Sequence, residues 1–189
     1  MAQHVCPWWL GRLLASPVRR LWQDPAKILA PYVTEGMTVL EPGPGMGFFT
    51  LELARRVGAS GRVIAVDTQR QMLDGLRRRA AKAGVAQRID ARLVQPESMG
   101  LADLAGQVDF TLLFAMVHET GSPRSFFAEV AQATKPGGRV LFVEPRGHVD
   151  GAKYESELGL AIEAGFAVAD RPSIHFSHAA TLARTCSVP

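Results

Sequence analysis

Cysteine is scarce: the chain has two, Cys6 and Cys186, near opposite ends. Two such residues make no disulfide framework, and a reducing compartment suits them. An excess of either charge is missing as well. Lys plus Arg total 21 against 18 Asp plus Glu, a surplus too small to argue for a nucleic-acid partner. Long apolar runs are absent. The most apolar stretch, residues 110–117, is far short of the roughly 20 residues a membrane helix needs. The opening MAQHVCPWWLGRLL has no basic n-region, and Pro7, Gly11 and Arg12 break its apolar run. No secretory leader is therefore expected, and the expected location is cytoplasmic. Neither an internal repeat nor a low-complexity tract stands out. What is present is an ordinary globular mix, 47% apolar and 21% charged, over 189 residues. That length suits one domain and is short for two.

The pattern changes once along the chain. Residues 1–36 read as short helices over 8–14, 17–22 and 25–32, with Pro7, Pro17 and Pro25 suited to first turns. They are expected to pack on a core spanning 37–189. In that core, strands are expected at 37–41, 62–67, 89–94, 108–115, 139–144, 166–171 and 179–186. Helical spacing alternates with them at 48–57, 69–83, 122–134 and 154–164. The stretch 108–115 is apolar enough to be covered on both faces. Lys135-Pro136-Gly137-Gly138 reads as a helix stop. Strands alternating with helices imply βαβ units, hence an α/β fold on a mostly parallel sheet.

The decisive segment is Glu41-Pro42-Gly43-Pro44-Gly45-Met46-Gly47, between the first strand and the first long helix. Glycines let a backbone turn tightly and approach a ligand closely. Open α/β sheets bind ligands beyond the carboxyl ends of their strands, where strand order reverses. A dinucleotide loop reads G-x-G-x-x-G and aims a helix N-terminus at a pyrophosphate. This loop reads G-x-G-x-G instead, with Glu41 two residues ahead of it. An acid there opposes phosphate and favours a cation. Asp67 ends the second strand, where one carboxylate can accept both ribose hydroxyls. The combination suits a ligand with a ribose and a positive charge but no phosphate, such as S-adenosylmethionine.

Four segments carry a resemblance: VLEPGPGMGFFTLELA (39–54), GRVIAVDTQRQML (61–73), VDFTLLFAMVHE (108–119) and KPGGRVLFVEP (135–145). In order and spacing they resemble the class I S-adenosylmethionine-dependent methyltransferases, the small bacterial type with a minimal core. The resemblance covers about residues 35–170. It implies a doubly wound, mostly parallel, seven-stranded Rossmann-like sheet with helices on both faces and an N-terminal helical lid. It also implies S-adenosylmethionine as methyl donor and S-adenosylhomocysteine as product. Carried over by residue, Glu41, Gly43, Pro44, Gly45 and Gly47 form the cofactor loop. Asp67 holds the ribose, Thr68 and Met72 pack near the adenine, and Phe114, Ala115 and Met116 line the methionine end. The loop after the third strand departs from the family pattern, which often has an Asp there. Gln95 or Glu97 is the substitute for meeting the adenine amine.

Methyl transfer from a sulfonium is an in-line displacement, so the protein supplies alignment, and a base only where the acceptor is protonated. Acceptor-side candidates follow strands four and five: His118, Glu119, Glu144, Arg146 and His148. His175 and His178 are expected in the turn between the last two strands, and His4, Cys6, Trp8 and Trp9 in the lid. Three readings of His118 stay open. It packs on the cofactor or hydrogen-bonds the backbone, or acts as base toward or orients a small acceptor under Trp8 and Trp9, or joins other His and Cys6 in a soft-ligand or metal site for a thiol or metalloid. No metal is assigned, because His175-x-x-His178 is the only tight ligand spacing. The run Arg77-Arg78-Arg79 with Lys82 reads as a solvated helix face. The base-methylating tetrapeptide Asn-Pro-Pro-Tyr is absent after strand four, where Ala115-Met116-Val117-His118 stands. A small-molecule acceptor is therefore expected and a nucleic acid is not. A non-catalytic cofactor-binding module is the rival from another class. The acceptor atom stays open among oxygen, nitrogen, carbon, sulfur and a metalloid, and no oligomeric state follows.

Overall fold

The computed structural model describes Arg19 and residues 22–185. The expected helices at 8–14 and most of 17–22, with His4, Cys6, Trp8, Trp9 and Cys186, lie outside the described residues. The first helix, α1 (Pro25–Leu29), is short. The Asp24 side chain caps it by accepting from the Ala26 N–H at 3.0 Å, and Pro25 takes the first turn. Then follow β1 (Thr38–Pro42), α2 (Thr50–Arg56), β2 (Arg62–Asp67), α3 (Arg70–Lys82) and β3 (Ile89–Leu93). The second half holds β4 (Val108–Phe114), α4 (Pro123–Ala133), β5 (Thr134–Pro145), α5 (Gly151–Glu163), β6 (Phe166–Asp170) and β7 (Ser177–Arg184).

The seven strands form one sheet in the order β3-β2-β1-β4-β5-β7-β6. Pairs from β3 through β5 are parallel, and β7 runs antiparallel between β5 and β6. Side chains alternate across β1, β2 and β5, as a pleated strand requires. Leu40, Ile64, Val140 and Phe142 meet Phe127 and Val130 of α4 and Tyr154 and Leu158 of α5 on one face. Val39, Val63, Leu141 and Val143 share the opposite face with Leu29 of α1, Leu53 of α2 and Val57 just past its end. On α3, Leu73 and Leu76 close over Ala65. The sheet is thus doubly wound, with helices on both faces.

Most boundaries move by a residue or two, and α1 ends at Leu29, short of the expected 32; three further differences have a local reason. The expected loop Lys135–Gly138 lies inside β5, because Val108 pairs with Thr134 while Phe110 pairs with Arg139. The four intervening residues bulge, and a Cβ on Gly138 would sit 2.9 Å from the Lys135 carbonyl oxygen. Helix α5 starts three residues before the expected 154, since Asp150 caps it by accepting from the Lys153 N–H at 2.8 Å. Strand β7 starts at Ser177, so His178 is a strand residue paired with Glu144 and not part of the turn.

Candidate active site

Strand order reverses between β1 and β4. The carboxyl ends of β1, β2 and β4 open there into a cleft of about 1280 Å³, more than one small ligand fills. On one side stands the glycine loop. Gly43, Gly45 and Gly47 have φ of 65°, 54° and 84°, a left-handed region costly for other residues. Gly43 N–H donates to the Val66 carbonyl at 2.9 Å and ties the loop to β2. A Cβ on Gly47 would lie 2.5 Å from Leu76 Cδ1, whereas one on Gly45 would meet nothing within 4 Å. Gly45 is therefore where the backbone leaves room for a ligand.

Two acids flank the loop. Glu41 is 4% exposed, and its Oε2 has no hydrogen-bond partner among the described residues. Burial pushes its carboxyl up to about 7; the Thr50 hydroxyl works against the rise and the charge of Asp67 adds to it. Asp67 Oδ1 accepts from the Gln69 N–H at 2.8 Å. Burial lifts Asp67 to about 6, against the pull of the backbone N–H groups of Gln69, Gly45 and Thr68. An orphaned buried oxygen asks for a donor, preferably a cation. This pair fits a ligand that brings an ammonium or sulfonium to one acid and hydroxyls to the other. Buried Met72 and exposed Thr68, Gln95 and Glu97 line the same side. Ser98 N–H donates to the Gln95 carbonyl at 3.2 Å, which turns this segment toward the cleft.

Phe114, Ala115 and Met116 follow β4 into the cleft. Ala115 has φ of 56°, an uncommon strain for a non-glycine residue, held by its N–H on the Val143 carbonyl at 2.8 Å. His118 lies next, in a 3₁₀ turn over Val117–Glu119. Its Nδ1 is 2.6 Å from Glu144 Oε2, and its ring stacks on His148 with centroids 5.7 Å apart. Glu144 is fully buried, and its Oε1 accepts from the N–H groups of Val117 at 2.8 Å and His118 at 3.3 Å.

The histidines do not all converge. His118 and His148 line the cleft, while His175 packs on Phe176 in the β6–β7 turn and His178 stacks on Tyr154. Glu144 stands behind His118 and does not line the cleft. Among the described residues no three His, Cys, Asp or Glu side chains gather as a metal site. The same residues include no helix long and apolar enough to cross a membrane.

Sequence reasoning passed over Arg19. Its guanidinium lies 4.4 Å from the Phe48 ring centroid, its Nε donates to Gln23 Oε1 at 2.7 Å, and burial lowers it to about 10. No pattern in the sequence singles it out. Phe48 and Phe49 could have been found, because they follow the last loop glycine directly and line the cleft. Ser122 and Ser125 at the start of α4, and Glu129 farther along it, also line the cleft and look ordinary in sequence.

Residues 39–138 match the family model described as a methyltransferase domain. A ubiquinone/menaquinone biosynthesis C-methyltransferase of Hydrogenovibrio crunogenus is 28% identical over 135 residues, 71% of this chain and 52% of that protein. Its counterpart in Idiomarina loihiensis is 30% identical over 71% of this chain and 53% of that protein. The chain thus spans about half the length of the curated relatives it matches. A SAM-dependent methyltransferase from Aquifex aeolicus has the same fold, with a TM-score of 0.84 at 23% identity, covering 96% of this chain and 100% of that one.

Proposed function

The chain belongs to the methyltransferase-domain family, whose methyl donor is S-adenosylmethionine, and from that premise we propose that it methylates a small-molecule acceptor. When bound, the cofactor supplies an electrophilic methyl group on a sulfonium. The chain's own residues bind and orient. The Gly43–Gly47 loop gives the cofactor a close backbone wall, Asp67 accepts from its ribose hydroxyls, and Glu41 faces its positive charge. Met72 and Thr68 flank the adenine, with Gln95 or Glu97 at its amine. Phe114 and Ala115 carry the methionine end toward the acceptor side.

The observation that carries this reading is the orphaned Glu41 oxygen in a cleft that also holds Asp67 and the open side of Gly45. A phosphate-bearing dinucleotide would meet two buried acids there. The relatives' printed activity, methyl transfer to carbon in quinone biosynthesis, puts a carbon acceptor among the possibilities, and the acceptor is tested separately. Calorimetry with S-adenosylhomocysteine tests the cofactor half. Asp67→Ala should weaken binding by about 1–3 kcal/mol, the scale of hydrogen bonds lost from a charged group. Unchanged affinity refutes the ribose assignment, and no saturable binding to the unaltered protein refutes the function.

A further inference from the structure

The acceptor side of the cleft contains a carboxyl–imidazole pair that the cofactor half leaves unused. Glu144 Oε1 accepts from two backbone N–H groups, and Oε2 lies 2.6 Å from His118 Nδ1. With Glu144 as a carboxylate, that contact places a hydrogen on Nδ1 and leaves Nε2 of the neutral ring with its lone pair. Glu144 does not line the cleft and His118 does, so the ring is pinned at its rear edge. Its other nitrogen lies 3.9 Å from Glu119 Oε1, and Glu119 also lines the cleft. The N–H groups of Val117 and His118 are thereby held to the Glu144 carboxyl of β5, which helps fix the ring's direction.

We propose that Glu144 is a positioning residue that holds His118 with Nδ1–H inward, so that Nε2 removes the proton of an acceptor bearing a hydroxyl on an aromatic or enolic skeleton. The proposal rests on the site being one of methyl transfer. As the bond to the acceptor forms, its proton goes to Nε2 and the freed electron pair reaches the methyl carbon. The carbon–sulfur pair stays with sulfur, and the proton later leaves the imidazolium for solvent. Glu144 on one nitrogen and Glu119 near the other stabilise that imidazolium.

The surroundings select this class of acceptor. Phe126, Met116 and Pro145 give the region apolar walls for a conjugated ring. Glu119 and Glu129 line it too, so an acceptor that arrives as an anion meets like charge. One that arrives neutral and is deprotonated inside does not. The Glu144 hydrogen bond raises the imidazole above its ordinary 6.5; burial pulls back, the charges of Glu144 and Glu119 add, and Lys153 opposes. His148 faces the ring from the β5–α5 loop, and Glu157 lies behind it on α5. A base raised above an ordinary imidazole is matched to a phenol or enol, near about 10, far better than to an aliphatic alcohol.

Two measurements test this together. In protein labelled with nitrogen-15 histidine and saturated with S-adenosylhomocysteine, His118 should show the Nδ1–H tautomer at a pH above its raised titration, where the ring is neutral. Glu144→Gln should invert it, because the amide would present a donor. Labelled methyl transfer is then followed to catechol, hydroquinone and acetylacetone, and to pyridine and dimethyl sulfide, which have no proton to lose. Transfer is expected to the first group only. His118→Ala should lower it about 100-fold while S-adenosylhomocysteine affinity stays within about twofold. Glu144→Gln should lower it about tenfold or more and move the acid limb of the rate profile to lower pH, with Glu144→Asp recovering part of both. The Nε2–H tautomer in the unaltered protein overturns the proposal. So does equal transfer to pyridine, or none to any hydroxyl or enol by protein that binds S-adenosylhomocysteine; that last result leaves the cofactor reading standing.

Discussion

Glu41 shows at the scale of one residue how burial can be made to serve binding. In the free protein its carboxyl is raised to about 7, and Asp67 beside it to about 6, chiefly by burial. A raised carboxyl holds its proton in the folded state after the unfolded chain has lost it. The stability it contributes is therefore fully present below the unfolded value and is lost as pH rises through about 7 for Glu41 and about 6 for Asp67. A cation at Glu41 favours the charged form, so binding expels that proton. S-adenosylhomocysteine affinity should accordingly rise between pH 6 and 7, with release of up to about one proton. Calorimetry in buffers of different ionisation enthalpy reads the release directly. Glu41→Gln should remove most of it and flatten the pH dependence of the free protein's melting point. Equal proton release in that variant would mean that another group is responsible. The acid was legible in the sequence from its place two residues before the glycines. Its raised carboxyl was not, because that depends on burial and on Thr50 and Asp67 arriving from other elements.

The glycine loop is an element in which shape and room separate cleanly. Gly47 is glycine for folding: with φ of 84° and Leu76 Cδ1 2.5 Å from a would-be Cβ, it is both strained and blocked. Gly45 has φ of 54° and open space. Gly47→Ala should lose about 1–3 kcal/mol of stability in urea unfolding. Gly45→Ala should lose less stability and more S-adenosylhomocysteine affinity, because its methyl group enters the cleft. The opposite ranking would mean that the loop's open side is not where the ligand lies. Such loops are readable in sequence because positive φ leaves a glycine signature. Other elements left a fainter trace. Gly137 and Gly138 announced a break, but whether the break was a loop or a bulge within β5 depended on pairing with Val108 and Phe110 across the sheet. Asp150 is an ordinary acid until its carboxyl meets the Lys153 N–H. Glu144 read as an acceptor-side candidate after strand five, and its contact with His118 Nδ1 appears only once β4 and β5 lie side by side.

On the scale of the whole molecule, the cleft joins the two halves of the sheet. Glu41, Gly45 and Asp67 come from β1, β2 and the loop between them, whereas Ala115 and His118 come from the exit of β4, across the point where strand order reverses. The alternation of strands and helices predicted this arrangement, since right-handed crossovers leave few topologies to choose from. A ligand that touches both halves binds only when both are folded, so it should stabilise them as one unit. At a free concentration 100 times its dissociation constant, S-adenosylhomocysteine should add about 2.7 kcal/mol. For a chain of this size that is a rise of roughly 5–10 °C in melting temperature. The rise should come with a single transition, reported alike by far-ultraviolet circular dichroism and by aromatic absorbance. Asp67→Ala should shrink it at the same ligand concentration. A ligand that sharpened only part of the melt, or raised the transition equally in protein lacking the Asp67 carboxylate, would place its contacts on one side of the switch point alone. The bridging role of the cleft would then be lost, whatever the fold.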